Sequence, residues 1–543
     1  MRSSRSYTAW YWFILFAFIF CLQIIPRTFQ ESPTDDEPIE LTNGYFYWSG
    51  DVVTHNYHPP LSKMLQALPM RALTLHNEIN PAIQDNQLRA LTFVFDLNRN
   101  QFETITLLGR WVTLLFGLGI GFLLWIQTRT QKITMFAALT LWAFEPTLLA
   151  YSGLSLADIP VTFFFFAAIL VFKSRLDQPS SLLGFFAGGL TAMAAGCKFS
   201  ALALIPIFIL LELLNWKKKG WNKNFILPSA INWAWGFLGF SALICLLYLP
   251  GTLWEAHHGF PAVYFWNGLQ NLIDYSDFHH PTYFLGQASR QNHWLYFPLA
   301  FSLKTTLPLF LLTLASAIYG AGRRPFSMWL WITPLILFFS ILPVQNLGVR
   351  YLLPMFPFLI LMSADLLNLL WNWRPARNAR AGKLCVLGLL LWHAVSTVSS
   401  APNMISYFNE LVSKDRRLYY LGDSNLDMGQ DIKRVAQTAA NRGWKNIKLA
   451  QFGGTLTPSL YGMKWEPWTG KDLTGPQTGH VYLVNALLFQ LGPVFEPTLG
   501  PIAQSWMVRT KPTGQIGDTW FYFEIPGTTV KDSSPRLSSV HYF

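Results

Sequence analysis

The chain reads as an α-helical polytopic membrane protein with a small soluble α/β domain at its C-terminal end. Three observations predict this. Only 13% of its 543 residues are Asp, Glu, Lys or Arg, against roughly 25% in soluble globular proteins. The hydrophobic fraction is 52% and the mean hydropathy is +0.28. Apolar runs approaching the roughly 20 residues that cross a bilayer recur up to residue 400 and then stop. Disorder is excluded, because disordered chains are polar and charge-rich. The formal net charge of +11 would suit a nucleic-acid binder, so its location decides what it means.

Eleven runs qualify as spans by the hydropathy rule: 9–25, 105–127, 133–150, 159–172, 183–197, 199–214, 228–250, 297–319, 327–343, 351–371 and 384–400. The first follows Met1-Arg-Ser-Ser-Arg, and no small-residue cleavage site follows Ile25-Pro26, so it reads as an uncleaved span.

The basic residues fall in alternate connections. One set holds Arg2, Arg5, Arg129, Lys132, Lys173, Arg175, Lys217 to Lys219, Lys223, Arg323, Arg324, Arg374, Arg377, Arg380 and Lys383, opposed there by Asp177 alone. The positive-inside rule places these connections and the N-terminus in the cytoplasm. The loop 26–104, the turn 151–158, the loop 251–296, the turn 344–350 and residues 401–543 then face outward. The positive charge is thus a record of topology, and the outer side is mildly acidic. No nucleic-acid partner is expected; membrane lipid is.

Residues 401–543 hold no apolar run of spanning length. Strand-like runs at Leu418–Leu421, Asn446–Gln451, Val481–Asn485 and Trp520–Ile525, with a helical stretch from Leu426 to Arg442, predict the outer α/β domain. The expected division is 1–400 membrane domain and 401–543 soluble domain. Cys21, Cys197, Cys245 and Cys385 all fall in or beside spans, which implies apolar packing rather than a disulfide framework.

Chemistry-bearing residues concentrate in the outer connections. The first outer loop carries Asp35-Asp36-Glu37-Pro38, then Gly44-Tyr45-Phe46-Tyr47-Trp48, then Asn56-Tyr57-His58-Pro59-Pro60-Leu61-Ser62-Lys63. Carboxylates at a membrane surface can act as general bases or metal ligands; an acidic run can equally be a solvated loop. Asp158 heads a span with Pro160 two residues on, which also suits a helix cap. Arg110, Lys198, Lys304 and Arg350 sit at the outer boundary or within spans, where cations are costly and usually functional, unless they snorkel. Their grouping on one side suggests a phosphate-like anion.

Other chemistries find no support. His55, His58, His257, His258, His279, His280 and His293 lie in the outer loops without HExxH or CxxC spacing. Neither a Walker A motif nor a GxGxxG with a following acid is present.

These segments resemble, in order, the family 39 GT-C glycosyltransferases, which include bacterial protein O-mannosyltransferases and the aminoarabinose transferase acting on lipid A. The matching residues are Asp36-Glu37-Pro38, Gly44-Tyr45, Tyr47, Asn56, His58 to Leu61 and Lys63; then Gly109-Arg110, Ala157 to Pro160 and Cys197 to Ser200. Tyr283 to Gly286, Trp294, Tyr296 to Pro298, Lys304-Thr305 and Arg350 to Pro354 follow. In the outer domain, Tyr407 to Glu410 and the string Leu421-Gly-Asp-Ser-Asn-Leu-Asp-Met-Gly-Gln-Asp431 complete the series. Two departures stand out: Tyr57 replaces the Glu that many relatives carry before His-Pro-Pro, and Glu40 replaces a His.

The resemblance implies a GT-C-type membrane enzyme of a bacterial inner membrane, with its C-terminal domain periplasmic. It implies a polyprenyl-phosphate sugar donor and a hydroxyl acceptor on protein, lipid A or envelope glycan. Asp36 would be the general base, Glu37 its partner and Asp158 a second acid. Arg110, Lys198, Lys304 and Arg350, joined by His58 and Lys63, would neutralise the leaving phosphate. A divalent metal is the one cofactor the relatives suggest, and Tyr57 stands where they place a ligand. The competing reading is a transporter or flippase for a lipid-linked anion, against which stands the lack of repeated halves.

Overall fold

The computed structural model describes residues 2–49, 58–80, 83, 85–220, 223–254, 262–276, 280–323, 329–341, 345–373, 380–453, 456–494 and 499–527. His55, Asn56, Tyr57, His257, His258, His279, Arg324, Arg374, Arg377 and both ends of the expected 327–343 span lie outside them.

Every expected span contains helix. Among the described residues, seven helices are long and apolar enough to cross a membrane, including Arg99–Thr128, Asp158–Asp177 and Val349–Asn372. The others differ for local reasons. The 133–150 run is two helices, Lys132–Ala143 and Pro146–Ser152, bent by 57°. The bend falls at Glu145-Pro146, where proline cannot donate the helix hydrogen bond. The 297–319 run breaks between Tyr296–Lys304 and Leu307–Arg323. Asn409 Nδ2 supplies the broken end, donating to the carbonyls of Ser302 (2.6 Å) and Thr305 (2.8 Å).

Small residues let backbones touch. Along Ser181–Cys197, a Cβ at Gly184 would lie 2.4 Å from the Asn232 carbonyl, and one at Gly188 1.8 Å from that of Gly236. This is the close helix packing that lipid, lacking a hydrophobic drive between helices, favours.

A hairpin of β1 (Thr282–Phe284) and β2 (Gln287–Ser289) lies in the second large outer loop. The C-terminal domain is built on five strands: β3 (Ile447–Ala450), β4 (Glu466–Pro467), β5 (Val481–Asn485), β6 (Gly514–Ile516) and β7 (Trp520–Glu524). They run in the order β4-β3-β5-β7-β6. β3 is parallel to β4 and β5, and β7 is antiparallel to β5 and β6. Every residue of β5 is buried, as its central place requires. The helix Ile432–Arg442 buries Ile432, Val435, Ala436 and Ala439, one face at helical spacing, and ends at Gly443 with φ +65°.

Two expectations for this domain are corrected. Residues 418–421 are no strand: Lys414–Tyr419 forms a 3₁₀ helix, and Leu421 makes one bridge to Phe284. The helix begins at Ile432, not Leu426, because residues 423–431 bond outward to the membrane domain, as described below.

Candidate functional site

The outer connections converge on one cavity of about 570 Å³. Its wall takes residues from the first outer loop, the 153–157 turn, the segment 345–351 and the C-terminal domain. Connections that the charge alternation places on one side are therefore gathered on one side.

Packing explains how each reaches the cavity. The sequence after Asp36 starts a helix, Glu37–Tyr47, with Pro38 in its first turn. Gly44 on that helix lies against the backbone of Lys63, where a Cβ would stand 2.0 Å from the Lys63 carbonyl oxygen. This contact carries Lys63 to the cavity beside Glu40, at 3.5 Å. Gly109 is equally constrained: its Cβ would meet Leu41 Cδ2 at 2.5 Å and Ser155 Oγ at 2.6 Å.

The cavity holds two further ion pairs. Arg350 Nη1 donates to Asp36 Oδ2 at 3.1 Å. Lys198 Nζ donates to Asp158 Oδ1 at 2.8 Å and lies 4.0 Å from the centroid of the Tyr351 ring. Arg350 Nε is buried with no hydrogen-bond partner among the described residues, an unused donor on a cavity wall. His58 joins this cationic side. Desolvation first, then the charges of Lys63, Lys198 and Arg350, push its imidazole down to about 3, so it is neutral at pH 7.

Three further acids, Asp35, Asp423 and Asp427, line the same cavity. Burial, and then the charges of Asp427, Asp36 and Asp423, hold Asp35 well above the usual carboxylate range. Burial is also the main reason that Asp427 is pushed up to about 7. Asp423 adopts φ +53°, in the left-handed region that Asp tolerates better than most residues.

Three expected site residues are placed elsewhere. Glu37 is fully buried and pairs with Arg110: Arg110 Nε donates to Oε1 at 2.8 Å and Nη2 to Oε2 at 2.7 Å. The backbone N–H groups of Ser155 and Thr34 complete the carboxylate, each at 2.8 Å. Burial alone would raise this carboxyl, but Arg110 and these hydrogen bonds bring it below its ordinary value. Neither Glu37 nor Arg110 lines the cavity. Lys304 is also outside it. Its Nζ donates to the carbonyls of Asn425 (2.6 Å) and Ile405 (2.8 Å) and lies 4.5 Å over the Phe408 ring. The expected helix cap at Asp158 is not formed either. Ala157 is the cap, and the Asp158 carboxylate turns to Lys198. The alternative of a solvated acidic loop fails for Glu37, which sees no solvent.

Asp35, His280, Asp423 and Asp427 also line the cavity, and the sequence assigns none of them a role in the site. For the last two a signal existed in the Asp423–Asp431 string, but nothing in its spacing said that a soluble domain would close a cavity at the membrane.

Among the described residues no three His, Cys, Asp or Glu side chains are grouped to hold a metal ion. The described residues do not fit the divalent metal that the resemblance suggests.

No family model and no curated protein matches the chain. It is similar to the crystal structure of ArnT from Cupriavidus metallidurans bound to undecaprenyl phosphate: TM-score 0.46, 12% identity, covering 94% of this chain and 97% of that one. For the apo state of that protein the values are 0.48, 13%, 95% and 98%. It is also similar to the Archaeoglobus fulgidus oligosaccharyltransferase in complex with zinc and sulfate, at TM-score 0.47 and 13% identity, over 71% of this chain and 52% of that one.

Proposed function

We propose that the protein is a membrane glycosyltransferase that moves a sugar from a polyprenyl-phosphate donor to a hydroxyl acceptor. The observation that carries this reading is the cavity lined together by Asp36, its partner Arg350, Lys198 and Lys63. The order of motifs shared with family 39 glycosyltransferases supports it. The prenyl chain would lie among the spans, with its phosphate against the three cations.

The step is an inverting displacement. The acceptor oxygen bonds to the anomeric carbon as the bond from that carbon to the phosphate oxygen breaks. Asp36 takes the hydroxyl proton, within about 3 Å of it. Polyprenyl phosphate leaves with the bonding pair, its charge matched by Arg350, Lys198 and Lys63. Arg350 donates to Asp36; a donor phosphate competes for the guanidinium and releases the carboxylate to act as base. Asp158 keeps Lys198 oriented and lies close enough to the cavity to stabilise positive charge on the sugar ring. The acceptor is a protein, lipid A or envelope-glycan hydroxyl, and the side on which it is met is the periplasmic one.

The test uses full-length protein in detergent, with lipid-linked sugars extracted from its own membranes as donor pool and free polyprenyl phosphate as readout. Asp36→Asn should slow release by 10² to 10⁴-fold, the usual worth of a positioned base, with elution unchanged and donor binding no weaker, since the carboxylate that competes for Arg350 has lost its charge. Release at the wild-type rate would remove Asp36 from the role.

A further inference from the structure

Glycine and asparagine in the string Asp423–Asp431 look like turn residues, but their hydrogen bonds leave the domain. Asn425 Oδ1 accepts from the backbone N–H of Val349 at 2.9 Å, next to Arg350. Three residues on, the Met428 carbonyl accepts from the backbone N–H of Asp35 at 3.0 Å, next to Asp36. The clasp continues with Ser32 N–H to the Gln430 carbonyl at 3.1 Å and Ser32 Oγ to the Gly429 carbonyl at 2.6 Å.

The same string is braced at both ends. Asn425 Nδ2 donates to Tyr296 Oη at 2.7 Å, and the Asn425 carbonyl receives Lys304. Gln430 Oε1 accepts from Met428 N–H at 2.7 Å, while its Nε2 donates to the Leu426 carbonyl at 2.9 Å. Gly348 interlocks with it: a Cβ there would fall 2.0 Å from Ser424 Oγ. Asn425 is fully buried and Gln430 nearly so, so these bonds are made without competition from water.

Arg350 and Asp36 are 314 residues apart in sequence. Residues 425–428 bond to the backbone beside each of them. From this we infer that the soluble domain is a working part of the cavity: its Asn425–Met428 segment sets the separation of Arg350 from Asp36, with Asn425 as a positioning residue acting through Arg350. This rests on the reading of Arg350 as a phosphate ligand. It assigns to Lys304 the job of holding the positioning segment instead of the substrate.

The experiment measures binding of undecaprenyl phosphate to the full chain in detergent. Arg350→Ala should weaken binding, and Asn425→Ala should weaken it about tenfold, as loss of one well-placed charged contact would. In the Arg350→Ala background, Asn425→Ala should cost nothing more, because the residue through which it acts is gone. Tyr296→Phe removes only the hydroxyl that receives Asn425; it should give a smaller loss that vanishes in the same background, and it serves if Asn425→Ala does not fold. An unchanged affinity in folded Asn425→Ala, or an equal loss in both backgrounds, overturns the positioning role and leaves the proposed function standing. A wild type that does not bind undecaprenyl phosphate, or binding indifferent to Arg350→Ala, overturns the phosphate reading and this inference with it.

Discussion

Adjacent residues of one loop, Asp36 and Glu37, each pair with an arginine, and the two pairs have opposite characters. Glu37 and Arg110 have side-chain exposures of 0% and 1%. Every oxygen of that carboxylate is satisfied, and Arg110 also donates to the carbonyls of Thr28 and Ser32 at 3.0 and 2.7 Å. Asp36 is 46% exposed and shares a contact with Arg350, whose Nε has no partner among the described residues. A saturated pair can only hold structure together. An unsaturated pair facing a cavity can exchange partners, which is what a site for an anion and a proton needs. The difference also teaches that an acid's neighbour in sequence is no guide to its role, since successive side chains on a helix start point in different directions.

Breaking the saturated pair should have the largest effect. Glu37→Gln leaves Arg110 buried without its counter-charge, and removal of one member of a buried pair costs about 3–5 kcal/mol. The expected result is a large drop in apparent Tm in detergent, with loss of monodisperse protein. Stability like the wild type would mean that the pair does not hold the structure together. A pH series sharpens the point. The Glu37 carboxyl titrates below its ordinary value when folded, so its contribution is present above the unfolded value of about 4.3 and is lost as pH falls beneath it.

Breaking the unsaturated pair should spare stability and change donor use. Arg350→Ala should raise the donor KM by about ten- to a hundredfold, the range for one charge-assisted contact of about 1.5–3 kcal/mol, with acceptor KM little changed. Lys304→Ala should lower Tm and raise the donor KM less than Arg350→Ala does, because Lys304 acts only by holding the Asn425 segment. An unchanged donor KM in Arg350→Ala, or a larger rise in Lys304→Ala, would reverse the two assignments.

The remaining effect is a pH dependence at the buried acid Asp427 of the cavity lining. Asp427 is raised to about 7 when folded, against about 3.9 unfolded. The folded state therefore prefers the protonated acid. The resulting stability is fully present below about pH 4 and is lost as pH rises through about 7. Asp427→Asn should flatten the change in apparent Tm between these values; an unaltered slope would show that Asp427 is not the group responsible.

Much of this was legible in the residues. The spans, the gathering of the outer connections, the soluble domain and five cavity residues from the predicted set (Asp36, Asp158, Lys198, Arg350 and Lys63, with His58 a sixth) follow from hydropathy, charge alternation and motif order. The misplaced residues share one cause. Arg110 and Lys304 look, in sequence, like Lys198: a cation within or beside an apolar run. Which of them faces a void and which faces carbonyl oxygens depends on segments more than 70 residues away, Glu37 for Arg110 and Asn425 for Lys304.

The same division applies to the protein as a whole. Its sequence by itself determined that the chain lives in a bilayer, because a helix long and apolar enough to cross carries its own solvent preference and needs no partner to declare it. It also determined where charge would collect along the chain. Only the tertiary structure decided which charges are neutralised and which stay available. That outcome depends on desolvation and on hydrogen-bond partners drawn from distant parts of the chain, the Asp423–Asp431 string above all, and neither is a property of a residue and its immediate neighbours.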